Sequence, residues 1–300
     1  DETQIQEFFD RLDAGVWIFH HAKYDITQLR GFANIPNRRR LWDTMLIEQI
    51  QYSGYYTDFS LADLVRRYLD TYMPKEERKT FTDDTVSEMT REQIEYASAD
   101  VAYTWKVYRK QKEKISESDI TIWKDIELPF LWAIMSMSGV RLDTEKWLAL
   151  AKMNEEKASE IPDKYGHWET IPAEGRKKEK EVFSGLNLNS PAQVKKHFAE
   201  CGVMLKSTDV EALEKILSKE DDEDEAHYRF ALDLAAYRKY AKRSSTYGAK
   251  FITDYVEADG KIYADIYQVG AETGRTSCRA PNLQNQPHEV AYRECFIADE

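Results

Sequence analysis

Cysteine is scarce: Cys201, Cys278 and Cys295 are the only three in 300 residues. They are odd in number, far apart and without C-x-x-C spacing, so neither a disulfide framework nor a zinc site is predicted, and free thiols in a reducing compartment account for them. Long apolar runs are lacking as well. No stretch approaches the roughly 18 apolar residues of a membrane span, and no basic segment leads into an apolar one near the start, so no secretory signal is read. No internal repeat is visible. Positive charge is the third shortage, with 42 Lys and Arg against 54 Asp and Glu and a formal net charge of −12. Averaged over the chain, that balance argues against a nucleic-acid partner, because phosphate binding relies on clustered Lys and Arg. The average hides a pattern. Much of the acid sits in the run Glu220–Glu225, read as a solvated loop, whereas Tyr237–Lys250 carries Arg238, Lys239, Lys242, Arg243 and Lys250 without an acidic residue.

What is present is enough for packed cores: 42% of residues are hydrophobic and 12% aromatic, and 300 residues predict two domains. The chain begins at Asp1 and stops soon after an apolar Cys295-Phe296-Ile297, from which a piece of a longer reading frame is expected. Gly15–Phe19 reads as a short buried strand with a helix beginning near Tyr24. Leu41–Tyr52 and Ser60–Tyr68 read as two further helices, with Asp43 and Ser60 as caps. After a polar stretch over Pro74–Thr85, the spacing predicts an amphipathic helix over Thr90–Ile115 with Ile94, Val101, Trp105 and Tyr108 on one face. The second block is mainly helical. Helices are expected from Ile120 to Gly139, from Asp143 or Thr144 to Ile161, from Ser190-Pro191 to Gly202, from Ser207-Thr208 to Lys219, and over Tyr228–Val256 with an interruption at Ser244–Thr246. Past the Asp259-Gly260 turn, Lys261–Gly270 alternates as a strand should.

Two carboxylates stand out. Asp25 follows the first strand in His20-His21-Ala22-Lys23-Tyr24-Asp25, a place where a strand end holds an acid beside open space; taken alone, such an acid is more often a cap or a solvated residue. Tyr96 and Asp100, at i and i+4, share one helical face. A carboxylate there can hold Mg²⁺ while the phenol orients a water towards a phosphodiester, although a core tyrosine beside a surface charge has the same spacing.

The most specific run is Thr273–Pro287, which holds Gly274, Arg275, Asn282, Gln284 and Asn285 and few apolar side chains. Glycine permits close backbone approach, arginine offers a planar donor fork, and Asn and Gln offer paired donors and acceptors suited to base edges or sugar–phosphate oxygens. This run resembles the Thr-Gly-Arg…Pro-Asn-Leu-Gln-Asn signature at the start of the palm in family A (polymerase I type) DNA polymerases. Ile126–Pro129, Ser138–Asp143, Leu186–Pro191 and Tyr237–Tyr247 resemble upstream segments of that family in the same order, and the block around Asp25, Tyr96 and Asp100 is similar to the second and third motifs of DEDD-type proofreading exonucleases.

The resemblance implies an α/β exonuclease (ribonuclease H-like) domain over residues 1–116, truncated at its N-terminus and lacking its first Asp-x-Glu motif. A mainly helical thumb region over 117–260 and the first strands of an α+β palm over 261–300 would follow. It implies Asp25 and Asp100 as metal ligands in a two-metal Mg²⁺ site and Tyr96 as the residue that positions the attacking water. His21 stands where the family usually has Asn. DNA contacts are implied for Arg275, Asn282, Gln284 and Asn285, and for Lys242, Arg243, Ser245, Thr246 and Tyr247. The implied parent is a DNA-directed DNA polymerase with proofreading, acting on primer–template DNA, single-stranded 3′ ends and deoxynucleoside triphosphates. It is expected to be a monomer without a membrane partner, in the cytoplasm of a bacterial or phage-infected cell, with neither active site complete in this chain. The alternative is a non-catalytic DNA-binding module derived from such an enzyme; a stand-alone exonuclease leaves Thr273–Pro287 unexplained.

Overall fold

The computed structural model describes residues 2–11, 15–37, 40–73, 89–171, 180–219 and 225–299. The sequence readings at Pro74–Thr85 and over most of the acidic run Glu220–Glu225 lie outside the described residues. In chain order the first elements are α1 (Glu2–Arg11), β1 (Trp17–Phe19), α2 (Ala22–Leu29), β2 (Leu41–Asp43), α3 (Thr44–Tyr52), α4 (Leu61–Leu69), α5 (Arg91–Lys114), α6 (Glu117–Ile122), a π turn over Trp123–Glu127, and α7 (Leu128–Met135). There follow β3 (Val140–Leu142), α8 (Thr144–Asp163), β4 (Gly166–Ile171), β5 (Lys180–Gly185), α9 (Pro191–Glu200), α10 (Val210–Leu217), α11 (Ala226–Tyr247) and α12 (Ala249–Tyr255). The last are β6 (Lys261–Ile262), β7 (Asp265–Tyr267), β8 (Ser277–Arg279), α13 (Val290–Arg293) and β9 (Phe296–Ile297). They separate into two compact units, Asp1–Ser138 with Ala264–Asn285 and Gly139–Tyr263 with Gln286–Glu300.

The first unit is built on β1 and β2, which pair in parallel with Trp17 opposite Leu41 and Phe19 opposite Asp43. Leu41–Asp43 therefore does not belong to the helix expected from Leu41. It is buried at all three positions, and a short apolar run gives no period that separates a strand from a helix. Around these strands Phe9, Ile26, Trp42 and Ile47 pack with Trp123, Leu128, Leu131 and Trp132. The segment after residue 116 thus packs into the core of the first block, where Trp123 Nε1 donates to the Leu41 carbonyl at 3.1 Å.

Helix α5 starts at a capping box, with Thr90 accepting from the Gln93 amide and Gln93 reaching back to the Thr90 amide. Its buried residues are Gln93, Thr104, Val107 and Gln111. Ile94, Val101 and Trp105, expected to mark the packing face, are exposed. A polar junction orients the helix instead. Gln111 Nε2 donates to the Thr44 carbonyl at 2.8 Å and to Glu48 Oε2 at 3.0 Å, while its oxygen accepts from Trp42 Nε1 at 3.1 Å. Glu48 also accepts from Arg67 and Tyr68. A buried carboxylate and amide satisfied in this way fix register more tightly than apolar contact, because any slip leaves them unpaired.

In the second unit α8 packs along α11, over a core in which Ile161, Val194, Phe198, Leu213, Phe230 and Leu234 are buried. Asp143 caps α8 by accepting from the Lys146 amide, and Asp209, rather than Ser207 or Thr208, caps α10. The stretch before α9 contains an antiparallel hairpin, β4 with β5, which the sequence reading left without structure. Lys261–Gly270 is not one strand: β6 pairs with β3, which also pairs with β9, while β7 pairs with β8 in the first unit. A second cluster forms where Trp147 stacks on Phe251 at 4.5 Å and meets Tyr292 edge-on at 5.3 Å.

The long helical pattern over Tyr228–Val256 breaks at Gly248, between α11 and α12. A Cβ at this buried glycine would sit 2.1 Å from the Ser244 carbonyl oxygen. We therefore expect Gly248→Ala to force a backbone shift and lower the stability of the second unit by about 1–3 kcal/mol, read as an earlier midpoint in urea unfolding at unchanged slope.

Candidate functional site

Asp25 lies in the first turn of α2, and the start of that helix is determined by a different carboxylate. Asp43, fully buried at the end of β2, accepts from the amides of His21 at 3.1 Å and Ala22 at 2.7 Å and from those of Met45 at 2.9 Å and Leu46 at 3.3 Å. One side chain thereby satisfies the open N–H groups of two helices, α2 and α3, where the helix dipoles favour negative charge. His21 takes φ 74 at this junction, and its ring stacks on Tyr24 at 6.1 Å and on Tyr267 at 6.5 Å.

Burial, and then the negative charge of Asp43, push the half-buried Asp25 carboxyl up to about 6. A carboxyl raised in this way has lost solvation for its charge and lies beside a second negative group, and a proton or a cation would relieve both. His20 is perturbed in the opposite sense. Burial holds it down to about 4 against the pull of Asp43, and its Nδ1 lies 2.9 Å from Thr44 Oγ1.

Tyr96 and Asp100 are half-buried on α5. The 3.6-residue period puts both on the side that carries the buried Gln93, Thr104 and Gln111. Helices α2 and α5 both contact β1, so the elements bearing Asp25 and Asp100 flank one strand. Their oxygens match a hard divalent cation in kind. Among the described residues, however, no group of three or more His, Cys, Asp or Glu side chains is arranged to hold a metal.

The second set of predicted residues follows the β7–β8 hairpin of the same unit. The turn closes on itself, with the Gly270 and Ala271 amides donating to the Arg275 carbonyl at 3.0 and 3.1 Å, and leaves the Arg275 side chain exposed. Asn282, Gln284 and Asn285 are exposed on the following turn. Asn282 Oδ1 accepts from the Gln284 amide at 3.0 Å, and Gln284 Nε2 donates to Thr276 Oγ1 at 2.9 Å, so Gln284 braces the loop. Cys278 is buried and its thiol points to the Pro281 carbonyl at 3.4 Å.

The basic segment of α11, in the other unit, divides. Lys242, Ser245 and Thr246 are exposed. Arg243 is engaged internally by Glu289, which also pairs with Lys239 at 3.4 Å, and Tyr247 packs edge-on against Trp147 at 6.2 Å and Tyr292 at 5.9 Å.

Sequence reasoning missed Lys23, Gln268, Tyr267 and Arg279, which line a cavity of about 460 Å³ with His21, Asp43, Gly54 and Tyr56. Lys23 pairs with Asp265 and donates to the Ile266 carbonyl at 2.8 Å. Burial raises the Asp265 carboxyl, and hydrogen bonds from Lys23 and Tyr267 outweigh it and hold the group below its ordinary value. Gln268, buried, donates to the Glu127 carbonyl at 2.7 Å and to its carboxylate at 2.6 Å. Nothing in the spacing of residues 20–25 indicates a partner so far along the chain.

Residues 5–116 match the family model described as 3′–5′ exonuclease, and residues 166–300 match that of DNA polymerase family A. The chain thus carries sequence of the 3′–5′ exonuclease family ahead of sequence of DNA polymerase family A. DNA polymerase I of Chloroflexus aurantiacus is 25% identical over 93% of this chain and 30% of its own length. Ribonuclease D of Bartonella henselae is 29% identical over 43% of this chain and 31% of its own length. The POL domain of Pol1 from M. smegmatis, solved in complex with DNA primer-template and dNTP, superposes with a TM-score of 0.65 at 22% identity, covering 94% of this chain and 45% of that one. The chain therefore spans less than a third of the length of the Chloroflexus relative. No described helix is long and apolar enough to cross a membrane.

The two perturbed groups give a pH signature. The folded His20 titrates at about 4 against 6.5 when free, so the unfolded chain takes up that proton first and stability falls as pH drops from 6.5 towards 4. At about 1.4 kcal/mol per unit this loss reaches roughly 3 kcal/mol. Asp25, at about 6 against 3.8, acts oppositely, with the folded form keeping its proton and gaining stability over that fall. Urea unfolding at pH 7 and pH 5 should show the acid loss reduced in His20→Gln and enlarged in Asp25→Asn.

Proposed function

We propose that this chain is the exonuclease-to-palm stretch of a DNA-directed DNA polymerase that extends primers and removes mispaired 3′ ends. The observation that carries this reading is the joint occurrence, in one compact unit, of the Asp25 segment and the exposed Arg275 loop. Primer–template DNA, single-stranded 3′ ends and deoxynucleoside triphosphates are the substrates proposed for the whole enzyme. It acts as a cytoplasmic monomer.

On the exonuclease side, Asp25 and Asp100 hold a divalent cation, Mg²⁺ in this reading, which when bound supplies Lewis acidity to a phosphoryl oxygen. The burial of Asp25 and the negative charge of Asp43 beside it, which together raise its carboxyl, support this assignment. The Tyr96 hydroxyl, one helical turn from Asp100, orients the attacking water. On the polymerase side, the exposed Arg275 fork and the amides of Asn282 and Asn285 contact primer or template, with Gln284 steadying the loop and contacting DNA through its remaining face. Lys242, Ser245 and Thr246 meet phosphates. Arg243 and Tyr247, although engaged internally, hold that surface in place and approach DNA from its edge.

In the full-length enzyme, Asp25→Ala or Asp100→Ala should cut 3′–5′ digestion of single-stranded DNA by at least about a hundredfold and leave primer extension intact. Arg275→Ala should weaken extension and spare digestion. Lys242→Ala should reduce the salt slope of duplex binding by about one. Digestion that survives both aspartate changes contradicts the exonuclease assignment, and a full-length protein with neither activity that still binds duplex DNA favours the non-catalytic DNA-binding alternative.

A further inference from the structure

The contact loop is fastened to the carboxylate helix at one side chain. Lys23 stands two residues before Asp25 on α2. Its Nζ pairs with Asp265 at the start of β7, donates to the Ile266 carbonyl at 2.8 Å, and lies 5.2 Å from the centre of the Tyr267 ring. Tyr267 is held from further sides by the His21 ring at 6.5 Å and the Arg279 guanidinium at 4.8 Å. All three residues of β7 thus touch the α2 start or its immediate neighbour, and β7 in turn sets β8 through Asp265–Arg279 and Tyr267–Ser277 pairing. Between these strands lies the turn that presents Arg275. The hairpin is too short to hold itself, since an isolated two-stranded ribbon of this length is marginal in water. Just past β7, Gln268 adds a further tie to Glu127.

We propose that Lys23 is a positioning residue for the Arg275 loop, so that the element carrying the exonuclease carboxylate also sets the placement of the primer-contacting arginine. A four-carbon stem with the ammonium satisfied by a carboxylate and a carbonyl is a directional tie. The Lys23 side chain is 21% exposed and that of Asp265 42%, enough shelter for the pair to hold against solvent screening better than a surface pair does. A displacement of α2 therefore moves the hairpin. The DNA part of this inference rests on the reading of Arg275 given above; the mechanical part does not.

The test uses the 300-residue chain and the variants Lys23→Met, Lys23→Arg, Asp265→Asn, Lys23→Met with Asp265→Asn, and Arg275→Ala. Amide hydrogen exchange is followed over residues 265–279 and affinity is measured for a primer–template duplex. Lys23→Met and Asp265→Asn should each speed exchange across β7 and β8 and weaken duplex binding about fivefold, the double variant should be no worse than either single one, and Lys23→Arg should keep both properties. Arg275→Ala should weaken binding without changing exchange. Unchanged exchange in Lys23→Met, or additive effects in the double variant, overturns the tie. Faster exchange in Lys23→Met with unchanged binding in Arg275→Ala upholds the tie and overturns the assignment of Arg275 to DNA.

Discussion

The Asp43 carboxylate is the constraint on which the first unit depends. Carried to the end of β2 by pairing with β1, it gathers the amides that begin two helices, and so fixes where α2 starts relative to the strands. That start determines the direction of Asp25, His21 and Lys23. Burial at this junction, and then the negative charge of Asp43, raise the proton affinity of Asp25 nearby.

The second dependence is on polar junctions inside apolar surroundings. Gln111 and Glu48 bind α3, α4 and α5 by hydrogen bonds that admit one register, and this decides which face of α5 turns inward. Tyr96 and Asp100 face inward with it. Had the apolar residues Ile94, Val101 and Trp105 determined the orientation, the two site residues would have turned to the outer side.

Local signals in the sequence were legible where the physics is local. Caps at Asp43, Ser60, Asp143 and Ser190 marked helix starts because a short polar side chain accepting backbone amides leaves its mark within four residues. The paired carboxylate segments and the Gly-Arg loop were legible as motifs. Tertiary choices were not. The three residues of β2 reveal themselves as a strand only through their partner β1, the face of α5 is set by buried amides rather than by hydropathy, and the Lys23–Asp265 tie joins residues hundreds of positions apart with no shared pattern. The basic run on α11 looked uniform in sequence, yet Glu289 withdraws Arg243 from the surface and leaves Lys242 exposed.

Burial at the start of α2 and the Asp43 charge beside it give the site its electrostatic character, and Asp25 reports on both. Carbon-13 NMR titration of the Asp25 side-chain carboxyl in the folded chain, without divalent cation, measures this directly. The predicted midpoint is about 6, and a midpoint at the ordinary 3.8 would contradict the account.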